Sequence, residues 1–169
     1  VHVKNLESLY VSGNTKITTL QPFAHSLKEL SAWCDCGLNS AAVAQATGLV
    51  TLDVFDNNRI SIVPPTVREL RSYRSRVTDR SLVDATQIVY LDVSDNPKVT
   101  SLKPFAKTLR WLDAHGGSSM FDAIVEDVRH LACLTVVDFR CQWNSLRYSY
   151  KRDRNGYLQL LNTNGESPL

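Results

Sequence analysis

Leu6–Ala32 reads LESLYVSGNTKITTLQPFAHSLKELSA, and Ile88–Ala114 reads IVYLDVSDNPKVTSLKPFAKTLRWLDA. Leu9, Val11, Ser12, Asn14, Lys16, Leu20, Pro22, Phe23, Leu27, Leu30 and Ala32 meet Leu91, Val93, Ser94, Asn96, Lys98, Leu102, Pro104, Phe105, Leu109, Leu112 and Ala114 at a constant offset of 82. A gapless self-match of this length marks a chain built as an array. Function in an array is expected on a shared surface rather than in one pocket.

The offset contains smaller steps. Apolar residues spaced L-x-x-L-x-L begin at Leu6, Leu27, Leu49, Val67, Ile88, Leu109 and Leu134, at intervals of 21, 22, 18, 21, 21 and 25 residues. Alternation inside each is the period-2 signature of a short strand with one buried face. Asn14, Asn57 and Asn96 stand at the turn that follows, where an amide can both donate to and accept from backbone groups. Ile17, Ile60 and Val99 close the pattern. In the form L-x-x-L-x-L-x-x-N-x-x-I it resembles the leucine-rich repeat family over Leu6–Leu146, with Asp35, Ser75, Gly117 and Gln142 replacing the asparagine elsewhere. The resemblance implies an α/β right-handed solenoid, a horseshoe with a parallel β-sheet on its concave face and short turns or helices on its convex side.

The returns between strands alternate. Gln21-Pro22-Phe23-Ala24, Val63-Pro64-Pro65 and Lys103-Pro104-Phe105-Ala106 are thin, because proline there forbids a long helix. Ser40–Thr47, Asp79–Thr86 and Phe121–Ala132 are helix-like, with Asp79 expected as an N-cap and Phe121, Ile124, Val125, Val128 and Leu131 forming one apolar face.

A length of 169 residues fits a single domain spanning residues 1–169. Val1–Asn5 reads as an edge strand or as the end of preceding repeats, and the second reading makes the chain a segment of a larger protein. Arg147–Leu169 leaves the register. Its Asn155-Gly156 turn signal predicts a hairpin, either a cap over the last repeat or a basic, tyrosine-rich tail that contacts a partner. The net charge of +2 argues against a generally electropositive nucleic-acid binder, and no apolar run is long enough to cross a bilayer. Cys34, Cys36, Cys133 and Cys141 do not cluster at either end, as the disulfide-bonded caps of extracellular family members do. The two pairs lie five repeats apart, roughly 24 Å at one strand spacing per repeat. That is beyond disulfide reach and beyond a single zinc site. Free thiols in an intracellular, cytoplasmic compartment are expected.

The register writes out the inner face in columns. The third position holds Ser8, Glu29, Thr51, Glu69, Tyr90, Trp111 and Val136, and the fifth holds Tyr10, Ser31, Asp53, Arg71, Asp92, Asp113 and Asp138. The seventh holds Ser12, Trp33, Phe55, Tyr73, Ser94, His115 and Arg140, and the eighth Gly13, Cys34, Asp56, Arg74, Asp95, Gly116 and Cys141. Trp33, Phe55 and Tyr73 on consecutive strands about 4.8 Å apart predict a continuous aromatic stripe. Aromatic side chains anchor protein interfaces, although on a strand they also pack on cross-strand neighbours without any ligand. The aspartates either select a basic partner or merely keep the sheet soluble.

The expected function is non-enzymatic: a protein-recognition or scaffold module, with Trp33, Phe55, Tyr73, Asp53, Arg71, Tyr90, Asp92, Trp111 and Asp113 as partner-binding residues. The partner is expected to present a basic or apolar surface. Two alternatives remain, a structural subunit of a large assembly and the substrate-recognition arm of an enzyme such as a ubiquitin ligase. Arg68, Arg71, Arg74, Arg76 and Arg80 around Tyr73 read as a local solvated or salt-bridged patch rather than a nucleic-acid groove, because Glu69 and Asp79 interleave. Neither a cofactor nor a metal is expected, and no catalytic residue is assigned. His115, with Asp113 before it and Cys141 one repeat on, lacks a defined cleft, and Gly116-Gly117 lacks the frame of a phosphate loop.

Overall fold

The computed structural model describes residues 5–114 in full and, beyond them, the strand backbone of residues 136–140, 147–152 and 158–161. The chain is α/β with one open sheet whose strand order follows the chain from β1 to β9. Strands β1 (Ser8–Tyr10), β2 (Glu29–Ser31), β3 (Thr51–Asp53), β4 (Glu69–Arg71), β5 (Tyr90–Asp92), β6 (Trp111–Asp113) and β7 (Val136–Arg140) run parallel. Leu9, Leu30, Leu52, Leu70, Leu91, Leu112 and Val137 are paired in one row across them, which is the register the leucine spacing predicts. Strands β8 (Arg147–Arg152) and β9 (Leu158–Leu161) continue the sheet antiparallel, so the runs flanking Asn155-Gly156 pair as a hairpin.

The middle residue of each strand from β1 to β6 turns to the covered side. Leu30, Leu52, Leu70, Leu91 and Leu112 are buried there with Leu27, Leu49, Val67, Ile88 and Leu109 from the preceding bend. Ile60, Val99, Leu20, Leu38, Val63, Val77 and Leu102 close the core from the returns. Each fully buried leucine or isoleucine is worth about 2 kcal/mol, so the row that sets the register also supplies much of the stability.

The helical returns are shorter than expected. α1 covers Ser40–Val43 and α2 covers Asp79–Leu82. After α1 the N–H groups of Gln45 and Ala46 bond three residues back, to Ala42 and Val43, and Ala85 does the same to Leu82 after α2. The helix tightens into turns because Ala46 and Leu49, and likewise Ala85 and Ile88, must all be buried over the sheet. The N-cap of α2 is Thr78, not Asp79: Thr78 and Ser81 form a capping box. Asp79 instead joins neighbouring returns, accepting from the amides of Thr100 and Ser101 and from the Thr100 hydroxyl. Two of the proline-bearing returns are 3-10 helices, Gln21–Phe23 and Lys103–Phe105, while residues 63–65 form no helix. Phe121–Ala132, His115, Gly116-Gly117, Cys133 and Cys141 lie outside the described residues, as do Val1–Lys4.

The chain leaves each strand from β1 to β5 through one repeated bend. Gly13, Cys34, Asp56, Arg74 and Asp95 all adopt a left-handed backbone with φ between 47° and 69°. Only the first is glycine. A side chain in this region costs about 1 kcal/mol, so the other four bends are strained. A Cβ at Gly13 would meet nothing within 4 Å, which leaves conformational strain as the sole cost of adding one. Gly13→Ala is expected to lower the unfolding free energy by about 1 kcal/mol in a urea titration. A larger loss would mean that the open space around Gly13 is not open in solution.

Candidate functional site

On the open side of the sheet the strand hydrogen bonding continues past the fifth position. Cys34 N–H donates to the Phe55 carbonyl (2.9 Å), Asp56 N–H to Tyr73 (2.8 Å) and Arg74 N–H to Ser94 (3.1 Å). The left-handed residues are therefore the donors that keep the seventh position in register while the chain turns away. Three of the seventh-position amides are also held. Trp33 N–H donates to the Ser12 hydroxyl, Phe55 N–H to the Asp53 carboxylate and Ser94 N–H to the Asp92 carboxylate.

This backbone sets the rings in a row. Phe55 and Tyr73 stack with centroids 4.8 Å apart and planes 11° from parallel, and Trp33 meets Phe55 at 6.0 Å and 52°. The stacked spacing matches the distance between neighbouring strands. Packing does not hide the row: Trp33 is 45% exposed and Phe55 40%. Trp33 and Phe55 thus form an exposed apolar patch outside the core, with Tyr73 half-buried beside them.

Beside the row lies a polar cluster. The Arg71 guanidinium sits 5.1 Å over the Tyr90 ring and 4.0 Å from Glu69. The Tyr90 hydroxyl donates to Asp113, and burial together with that carboxylate pushes the Tyr90 pKa well above the ordinary tyrosine value. Trp111, the register partner of Tyr90, is 44% exposed. The Asp95 carboxylate, hydrogen-bonded to the Tyr73 hydroxyl, raises that group's pKa. At the third, fifth, seventh and eighth positions of the described residues stand Glu29, Asp53, Asp56, Glu69, Asp92, Asp95 and Asp113 against Arg71 and Arg74, an excess of five negative charges.

The structure thus joins Trp33, Phe55 and Tyr73 in one ladder and Arg71, Tyr90 and Asp113 in one cluster, with Trp111 beside it. Asp53 and Asp92 have a second role that their spacing hid, as acceptors for the backbone two residues on. Tyr10 is the surface residue missed as a site candidate. It is 68% exposed at the fifth position of β1, and a hydrogen bond from its hydroxyl to Glu29 raises its pKa. Ser31, placed on the open face by register, is buried between Tyr10 and Asp53.

Cys34 and Cys36 are free, the first exposed and the second buried. Among the described residues no group of three or more His, Cys, Asp and Glu side chains could hold a metal, and no helix is long and apolar enough to cross a membrane. No family model, no curated protein and no solved structure matches the chain.

Proposed function

We propose that this chain is a leucine-rich-repeat solenoid acting as a non-enzymatic protein-recognition module, with the open face of its sheet as the docking surface. The observation that carries the reading is the ladder Trp33–Phe55–Tyr73, its first two rings exposed and the third half-buried, held in register by backbone bonds from the strained bends. Preorganised rings bury large area on binding at little entropic cost, which is how interface anchors work. An intracellular setting accords with two free thiols among the described residues.

Replacing Trp33 and Phe55 together with alanine is expected to weaken capture of a protein partner by at least about tenfold. The same change removes two ring contacts and lowers stability by only about 1 kcal/mol, because both rings are already half in water. Binding is read by retention on the immobilised chain and stability by thermal melting. Retention equal to that of the unsubstituted chain would move the function elsewhere, to a structural subunit joined through other faces.

A further inference from the structure

Resting on the recognition reading above, we propose that the open face takes an extended, arginine-rich peptide segment, its guanidinium groups seated against the exposed rings between flanking aspartates. Charge is the first argument. The chain as a whole carries +2, yet the described positions of this face carry five more carboxylates than arginines. The sign of the surface is opposite to that of the molecule, and electrostatic complementarity selects a cationic partner for it.

The molecule also contains the proposed contact in miniature. Arg71 lies over the Tyr90 ring with Glu69 beside it and Asp113 on the tyrosine hydroxyl. A guanidinium on a ring with carboxylates at its edge is therefore an arrangement this surface already holds. The ladder offers the same elements: among the described residues no arginine lies over its rings, and Arg74 meets Tyr73 at the hydroxyl. The next side chains in its column are Ser12 and Ser94, too small to cover the outer faces of Trp33 and Tyr73. Asp53 and Asp56 flank Phe55, and Asp95 meets the Tyr73 hydroxyl.

Spacing favours an extended segment. The ring steps of 6.0 and 4.8 Å put the two end rings up to about 11 Å apart, and residues four apart in an extended segment span about 13 Å on one side, enough to reach both outer faces. Arginine suits the seat better than lysine because its planar group stacks and pairs with a carboxylate at once. A phosphate backbone would be repelled by the same acids.

The test measures binding of short labelled peptides alternating glycine with arginine, lysine, serine or glutamate to the whole chain, by fluorescence anisotropy at low and physiological salt. The Arg/Gly peptide is expected to bind tightest, several-fold above Lys/Gly and far above Ser/Gly and Glu/Gly, and to weaken as salt rises. Asp53→Asn with Asp56→Asn keeps the oxygen that accepts from Phe55, and keeps at 56 a residue that tolerates the left-handed backbone, but removes both charges. This variant is expected to lose about tenfold in Arg/Gly affinity with an unchanged melting temperature. Equal binding of Ser/Gly, an unaffected D53N/D56N variant, or tighter binding of a single-stranded oligonucleotide would overturn the proposal. If the Trp33/Phe55 alanine variant loses a protein partner that D53N/D56N retains, recognition stands and the arginine inference falls.

Discussion

Asn57→Ala is expected to destabilise the protein by about 3–4 kcal/mol, with the urea midpoint falling accordingly. Asn57 is 0% exposed and uses both ends of its amide. Its Oδ1 accepts from the N–H groups of Arg59 (2.8 Å) and Ile60 (3.0 Å), and its Nδ2 donates to the carbonyls of Ala32 (2.7 Å) and Cys34 (3.0 Å). Alanine would take the side-chain partner from the buried Ile60 amide and the buried Ala32 carbonyl, on two adjacent segments. Asn96 occupies the equivalent place but works at one end only. Its Nδ2 reaches the Ser72 carbonyl and the Ser75 hydroxyl, while its buried Oδ1 has no partner among the described residues. Val99 N–H bonds to the Asn96 main-chain carbonyl instead. Asn96→Ala should therefore cost about half as much as Asn57→Ala. Equal losses would show that the side-chain bonds are not what stabilises these turns.

Gly37→Ala is expected to be as damaging, at about 3 kcal/mol, for a steric reason. A Cβ at Gly37 would lie 2.5 Å from the Ile17 carbonyl oxygen and 2.6 Å from that of Thr15. Both are backbone atoms of the preceding segment, and Gly37 N–H donates to the Asn14 carbonyl beside them at 2.7 Å. The bend cannot retreat without breaking that bond. Gly13→Ala, where the added methyl meets open space, is the internal comparison: the two alanine variants should differ by about 2 kcal/mol in chemical unfolding. If they match, the close approach at Gly37 is not a constraint in solution.

These two positions mark how far the sequence could be read. The strand register followed from the leucines, since a slip of one residue would turn each of them to water. The ring ladder followed from the register. Gly37 did not, because the atoms that exclude a side chain there belong to Thr15 and Ile17, some twenty residues earlier. The left-handed column stayed hidden because four of its five members are Cys34, Asp56, Arg74 and Asp95, none of which announces a positive φ. The helix lengths were overestimated because apolar spacing describes what must be buried and not which turn delivers it. Asp79 was misread as a cap because its partners, Thr100 and Ser101, lie on the following return. Asp53 and Asp92 read as free surface charge because a turn closed by a side chain leaves no distinctive spacing.

The strand order has a mechanical consequence. Every strand is bonded only to those before and after it in the chain, so tension applied to the two ends of the sheet meets one interstrand seam at a time. The seams open in sequence, like a zip rather than a bolt. From β1 to β6 the strands start 18 to 22 residues apart, so each opened seam releases about 60–80 Å of slack chain. Between β1 and β6 the chain would lengthen under force in nearly even steps.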